Sequence, residues 1–259
     1  MKGGMIAATL VAATGAAICA AGSAQALPVT SMVVMKVADS GPGTFDPYLD
    51  WIGAGGFNEG VAGAASLTNN GLDYKDSWVD SNWGDVLQVR VSMYTGGVEQ
   101  AYMLFDASGT TKSDFFSVGN VIGSSWSDAA AGGSGSTGDF FSIAGDSSIN
   151  RHWFVNNNYG GCGADVGHMV VLDGSTGACS WESSVVGAGI ADRAFIYSGV
   201  STETNWTSGS PAVADVFAVQ VMVEDTGSST VPVPAAGGLI AAALGALGVA
   251  ARGRRRRAA

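Results

Sequence analysis

The densest group of side chains able to do chemistry is "RHWFVNNNYGGCGADVGHMVVLDGSTGACSWE", residues 151–182. Amides and carboxylates bond sugar hydroxyls, and a pyranose lays its apolar face on an aromatic ring. Trp153, Asn156, Asn157, Asn158, Tyr159, Asp165 and Trp181 are therefore the candidate glycan-binding residues. The competing reading puts both Trp in the core and has the asparagines only turn the chain. A second group, "NNGLDYKDSWVDSNWGD" at residues 69–85, sets Asp73, Asp76, Asp80 and Asp85 among Asn69, Asn70 and Asn82. Hard oxygen donors on loops suit weak Ca²⁺ binding. The spacing is not that of an EF-hand, and a solvated acidic loop is the commoner explanation of such a cluster. No other cofactor is expected, and no metal is assigned.

Catalytic patterns are scarce. His152 and His168 are the two imidazoles, and the chain holds no G-x-S-x-G elbow, no H-E-x-x-H and no P-loop. A Ser–His–Asp group or a carboxylate pair assembled by the fold stays open, as in a secreted hydrolase. The expectation is a protein that is not an enzyme.

Charge narrows the partners. Residues 27–226 hold six basic side chains against all 22 acidic ones, a net −16. Such a surface repels nucleic acid and attracts cations. Cys19 falls in the apolar leader, so the mature chain keeps Cys162 and Cys179. An even pair in an exported protein predicts a disulfide, worth roughly 3 kcal/mol for a loop of this size. No His-rich spacing accompanies the pair, which argues against zinc there.

The two ends are addresses. Lys2, an apolar run and Ala24-Gln25-Ala26 form a signal peptide over residues 1–26, with cleavage after Ala26. At the other end, residues 227–259 contain a Gly/Ser/Thr linker, two prolines, an apolar helix and arginines. The uncharged run at 235–251 rises about 25 Å as a helix, short for a hydrocarbon core of roughly 30 Å. Arg252, Arg254, Arg255, Arg256 and Arg257 stop transfer and keep the tail cytoplasmic. This layout places residues 27–226 outside the cytoplasm.

The segment Val231-Pro232-Val233-Pro234-Ala235, the helix behind it and the terminal arginines resemble the VPLPA-type and PEP-type C-terminal sorting domains of Gram-negative bacteria. Val233 stands where the V-P-L-P-A form has Leu. The resemblance covers about 30 residues. It implies an exosortase-like membrane protease as partner, transient residence in the inner membrane, and a final place at the cell surface or outside the cell. Proteins with such tails accompany exopolysaccharide and biofilm systems, so extracellular polysaccharide is the implied ligand class. A purely structural surface protein is the alternative.

The elements that must position these residues are strands. "SMVVMKVAD", "DVLQVRVSMY", "EQAYMLFDA" and "ADVFAVQVMVED" are rich in β-branched and aromatic residues, and Val89, Val91 and Met93 alternate with Gln88, Arg90 and Ser92. "DFFSI", "RHWFVN", "HMVVLD" and "RAFIYSG" read as shorter strands. Gly, Asn, Asp and Ser punctuate them, and no sustained amphipathic helix interrupts. The pattern predicts one all-β domain over 27–226, a β-sandwich of jelly-roll-like type, with "AAAGGSGSTG" as an internal loop.

Overall fold

A computed structural model describes residues 29–41, 43–130, 140–174, 178–182 and 193–224. The segments read as signal peptide, sorting motif, apolar helix and terminal arginine cluster all lie outside the described residues. Among the described residues, no helix is long and apolar enough to cross a membrane.

Twelve strands follow one another among the described residues. The first five are β1 (Val29–Ala38), β2 (Tyr74–Lys75), β3 (Val86–Thr95), β4 (Val98–Asp106) and β5 (Val121–Ser124). Then come β6 (Phe140–Ser142), β7 (Arg151–Asn158), β8 (Val166–Asp173) and β9 (Arg193–Ser198). The last are β10 (Thr204–Asn205), β11 (Pro211–Ala214) and β12 (Val216–Glu224). Two helices of four residues each, α1 (Leu49–Ile52) and α2 (Trp78–Ser81), interrupt the first half.

The strands form two antiparallel sheets, one ordered β2-β1-β12-β3-β4-β5 and the other β11-β9-β8-β7-β6, with β10 added against β8. All eight strands expected from the sequence are present. The wiring departs from the expected jelly-roll-like weave. Strands β1 to β5 stay in the first sheet and β6 to β11 in the second, so the chain fills one layer before starting the other. Only β12 returns, slotting between β1 and β3. That places it beside the β3-β4-β5 meander in Greek-key order.

Local chemistry explains the sharpest turn. Gly96 and Gly97 join β3 to β4 with φ of 59° and 80°, a pair of left-handed residues that suits a two-residue hairpin loop. On β3, Val89, Val91 and Met93 are buried against the second sheet, as the alternation requires.

Two large apolar clusters result, beside a small third of Tyr94, Val216 and Ala218. The larger fills the space between the sheets and is dominated by rings, among them Trp51, Phe105, Phe115, Phe116, Trp153 and Phe217. The smaller sits on the outer face of the second sheet, where Phe154, Val170, Leu172, Ala194 and Ile196 lie beneath Trp181, Cys179 and Trp206. The second sheet is thus buried on both faces, which accounts for the unbroken apolar runs in β8 and β9.

Candidate functional site

Part of the region singled out by composition folds into this outer cluster, whose centre is a buried ion network. Arg151 opens β7 with its side chain wholly buried. Its Nε and Nη2 donate to Glu182 Oε1 at 2.9 and 2.6 Å, and its Nη1 donates to Asp165 Oδ2 at 2.8 Å. Asn156 Nδ2 donates to Asp165 Oδ1 at 2.8 Å and to the Asn158 carbonyl at 2.7 Å, while Trp206 Nε1 donates to Asn156 Oδ1 at 3.1 Å. The guanidinium lies 4.5 Å from the Trp181 ring centroid and 5.4 Å from that of Tyr159. Burial pushes the Asp165 carboxyl above its ordinary range, against the pull of Arg151 and Asn156. Tyr159 donates to Asp146 Oδ2 at 3.0 Å, and burial together with this bond raises its hydroxyl to about 12.

Close backbone approach is built into this arrangement. A Cβ on Gly167 of β8 would come within 2.5 Å of the Val155 carbonyl oxygen, so the strand can run here only as glycine.

A disulfide between Cys162 and Cys179 ties the covering segments together, with Cα atoms 5.4 Å apart. The cysteine pairing expected from parity is thus formed. Changing both cysteines to serine is expected to lower stability by about 3 kcal/mol, because the 17-residue separation is then free in the unfolded chain. Denaturant unfolding of variant and parent checks the figure. A loss under about 1 kcal/mol would mean that the cover holds by packing alone.

The structure corrects the picture of an open sugar platform. Trp153 and Trp181 are both fully buried, the first between the sheets and the second under the cover. Trp153 faces inward because β7 bulges there, at φ 48°, and its Nε1 donates to the Pro47 carbonyl at 3.1 Å. Asn156 and Asp165 are used up by the ion network. Asn157 bonds Glu203, and Asn158 is exposed at the strand end. Tyr159 is half-buried. No indole of this region offers a free face.

The acidic group at 69–85 is likewise engaged with the protein's own donors. Asp73 is buried, accepting from the Ala38 N–H at 3.0 Å and from Arg193 Nη1 at 2.9 Å. Asp80 pairs with Lys75 and Lys112, and Asp76 accepts from Tyr74 and from the Trp78 N–H. Asn70 Oδ1 accepts from Lys36 Nζ at 2.5 Å. Asn69 bonds Asp39 and Asn82 bonds the Trp78 carbonyl, which leaves Asp85 exposed by itself.

Neither imidazole hydrogen-bonds a serine among the described residues. His152 stacks on Tyr48 at 4.8 Å and its Nδ1 sits 2.8 Å from the Ala144 carbonyl oxygen. His168 Nε2 lies 2.8 Å from Asp128 Oδ1, and with Glu203 these two form a compact His/Asp/Glu group. Its members are 35 and 40 positions apart in the chain. Separately, a groove of about 510 Å³ opens beside Tyr48, Ile52, Phe116 and Phe141, with Ser113 and Ser142 also lining it.

A scan against protein-family models matched no family, and searches of curated proteins and of solved structures returned no match.

Proposed function

We propose that this chain is an exported β-sandwich protein of a Gram-negative cell surface or matrix, sorted through its C-terminal segment and acting structurally. The observation that carries the structural role is the use made of the tryptophans. Of seven, Trp51, Trp126, Trp153, Trp181 and Trp206 are buried, and Trp78 and Trp83 are half-buried. Rings that would read a ligand are spent on two cores. Export is supported by the disulfide, since such bonds persist in oxidising compartments. The leader and the Pro-motif, helix and arginine layout of the sequence support it further.

In this reading the tail pauses in the inner membrane, and an exosortase-like protease cuts near Pro232-Val233-Pro234. A second reading, binding of extracellular polysaccharide, rests on the groove beside Tyr48 and Phe141, where rings and hydroxyls occur together.

One preparation tests both. The mature protein recovered from the native cell surface is expected to begin at Leu27 and to lack Gly237 through Arg257 by mass. A mass that still includes those residues makes the tail an ordinary anchor. The same protein, screened on a glycan panel with and without calcium, is expected to bind nothing. Binding that Tyr48→Ala abolishes would replace the structural role with the polysaccharide one.

A further inference from the structure

The His/Asp/Glu group outside the Arg151 network has the make-up of a metal site. Asp128 lies in the turn after β5, His168 in β8 and Glu203 just ahead of β10. One ligand atom from each falls within 4.8 Å of the others. The His168 side chain is fully buried, and its Nδ1 has no hydrogen-bond partner. The one hydrogen bond made by this buried ring therefore points into the group. Both carboxylates are oriented by donors from behind. The Glu203 N–H donates to Asp128 Oδ2 at 3.0 Å, and the Asn157 amide donates to Glu203 Oε2. Asp128 Oδ1 meets the His168 ring, and one Glu203 oxygen completes the group. Burial pushes the Asp128 carboxyl up, but the Glu203 N–H and His168 outweigh it and hold the group below its ordinary range. It is an anion at neutral pH.

We propose that Asp128, His168 and Glu203 bind a divalent transition-metal ion of the zinc class. Two carboxylates and one neutral imidazole balance a dication. Mixed nitrogen and oxygen donors suit zinc, whereas calcium takes six to eight oxygens. Three protein ligands leave one tetrahedral position to water. The hydrogen bond at 2.8 Å between His168 and Asp128 is the metal-free form of the site, with a proton on Nε2 where the ion would go. Tetrahedral bonds of about 2.0–2.1 Å put ligand atoms roughly 3.3–3.4 Å apart. His168 and Asp128 must therefore part by about half an ångström, while the Glu203 oxygen, within 4.8 Å of both, settles to the same spacing.

Binding shifts the ring proton from Nε2 to Nδ1, which has no protein acceptor behind it. Well-built histidine sites put a carbonyl or carboxylate there. This one should therefore bind with a Kd of about 1–100 μM rather than nanomolar. The bound ion would clamp the turn that leaves the first sheet onto β8 of the second, beside the bond from the Ser127 N–H to the Ser201 carbonyl. The net −16 of residues 27–226 concentrates cations around it.

The test is calorimetric titration of zinc chloride into the mature exported protein after stripping with chelator. One equivalent is expected to bind in the micromolar range at neutral pH and to raise the Tm. Half-exposed Glu203 can be changed to Gln without opening the core, and Glu203→Gln is expected to weaken binding at least tenfold. His168→Gln should do the same, and His152→Gln should change nothing. No heat with the parent protein overturns the proposal. So does zinc affinity unmoved by Glu203→Gln, or calcium binding as tightly as zinc.

Discussion

Arg151→Ala is expected to remove about 3–5 kcal/mol of stability, a large fraction of the roughly 5–15 kcal/mol that a folded domain possesses. The loss is not the worth of the ion pairs themselves. Taking three charges out of water costs several kcal/mol per ion, and their mutual attraction roughly repays it. Alanine keeps the cost and deletes the repayment. Asp165 and Glu182, each with a side chain 1% exposed, would be left as two buried carboxylates without a cation. They would also lose the guanidinium that spaces Trp181 from Phe154 and Tyr159.

A neutralised network should behave differently. Arg151→Met combined with Asp165→Asn and Glu182→Gln removes all three charges while roughly keeping volume, and should recover most of the loss. Urea unfolding followed by Trp fluorescence and by far-UV CD measures both proteins. If the single variant loses under about 1 kcal/mol, water reaches the network and the outer cluster is not a core.

How far this could be read in advance depends on the range of each interaction. Eight strands were legible because β-branched and aromatic content and, in β3, side-chain alternation are local signals, and the disulfide because parity left Cys162 and Cys179 one partner each. The short strands β2, β5, β10 and β11 have no pattern of their own; they exist because a longer neighbour offers an edge. The Arg151 network spans 14 and 31 positions, and the His168 group 35 and 40, with no spacing that announces either. One signal was present in the sequence. "HMVVLD" and "RAFIYS" are continuously apolar rather than alternating, as strands covered on both faces must be. Such runs call for cover on the outer face of the second sheet, which Trp181 and Trp206 supply in the structure.

Phase was the harder problem in β7. Strict alternation puts Arg151, Trp153 and Val155 on one face. In the structure Arg151, Phe154 and Asn156 face the outer cluster, while Trp153 and Val155 face the inner one. A bulge between His152 and Val155 separates the two sets. A one-residue slip of this kind exchanges faces and converts a candidate ligand platform into core.

Trp153 is therefore the position where core and platform make opposite demands. Its ring meets Phe217 at 5.1 Å, Trp51 at 5.3 Å and Phe116 at 5.5 Å. Trp153→Ala should cost about 3–5 kcal/mol, the transfer energy of the indole plus the cavity it leaves. The backbone adds a second, independent signature. With φ at 48° the residue is left-handed, a conformation that costs an L-residue roughly 1–2 kcal/mol and glycine almost nothing. In an ordinary strand glycine is the worse replacement. Here Trp153→Gly should be more stable than Trp153→Ala by about 1 kcal/mol, because both leave the same cavity and only glycine relieves the backbone. Trp153→Phe should retain most of the packing and fall between them and the parent. Chemical denaturation of the three variants orders them directly. Alanine more stable than glycine would mean that β7 runs without the bulge, returning Trp153 to the face of Arg151. A ring on that face could be truncated with little loss of stability, so the size of the alanine effect and the Gly–Ala order must agree.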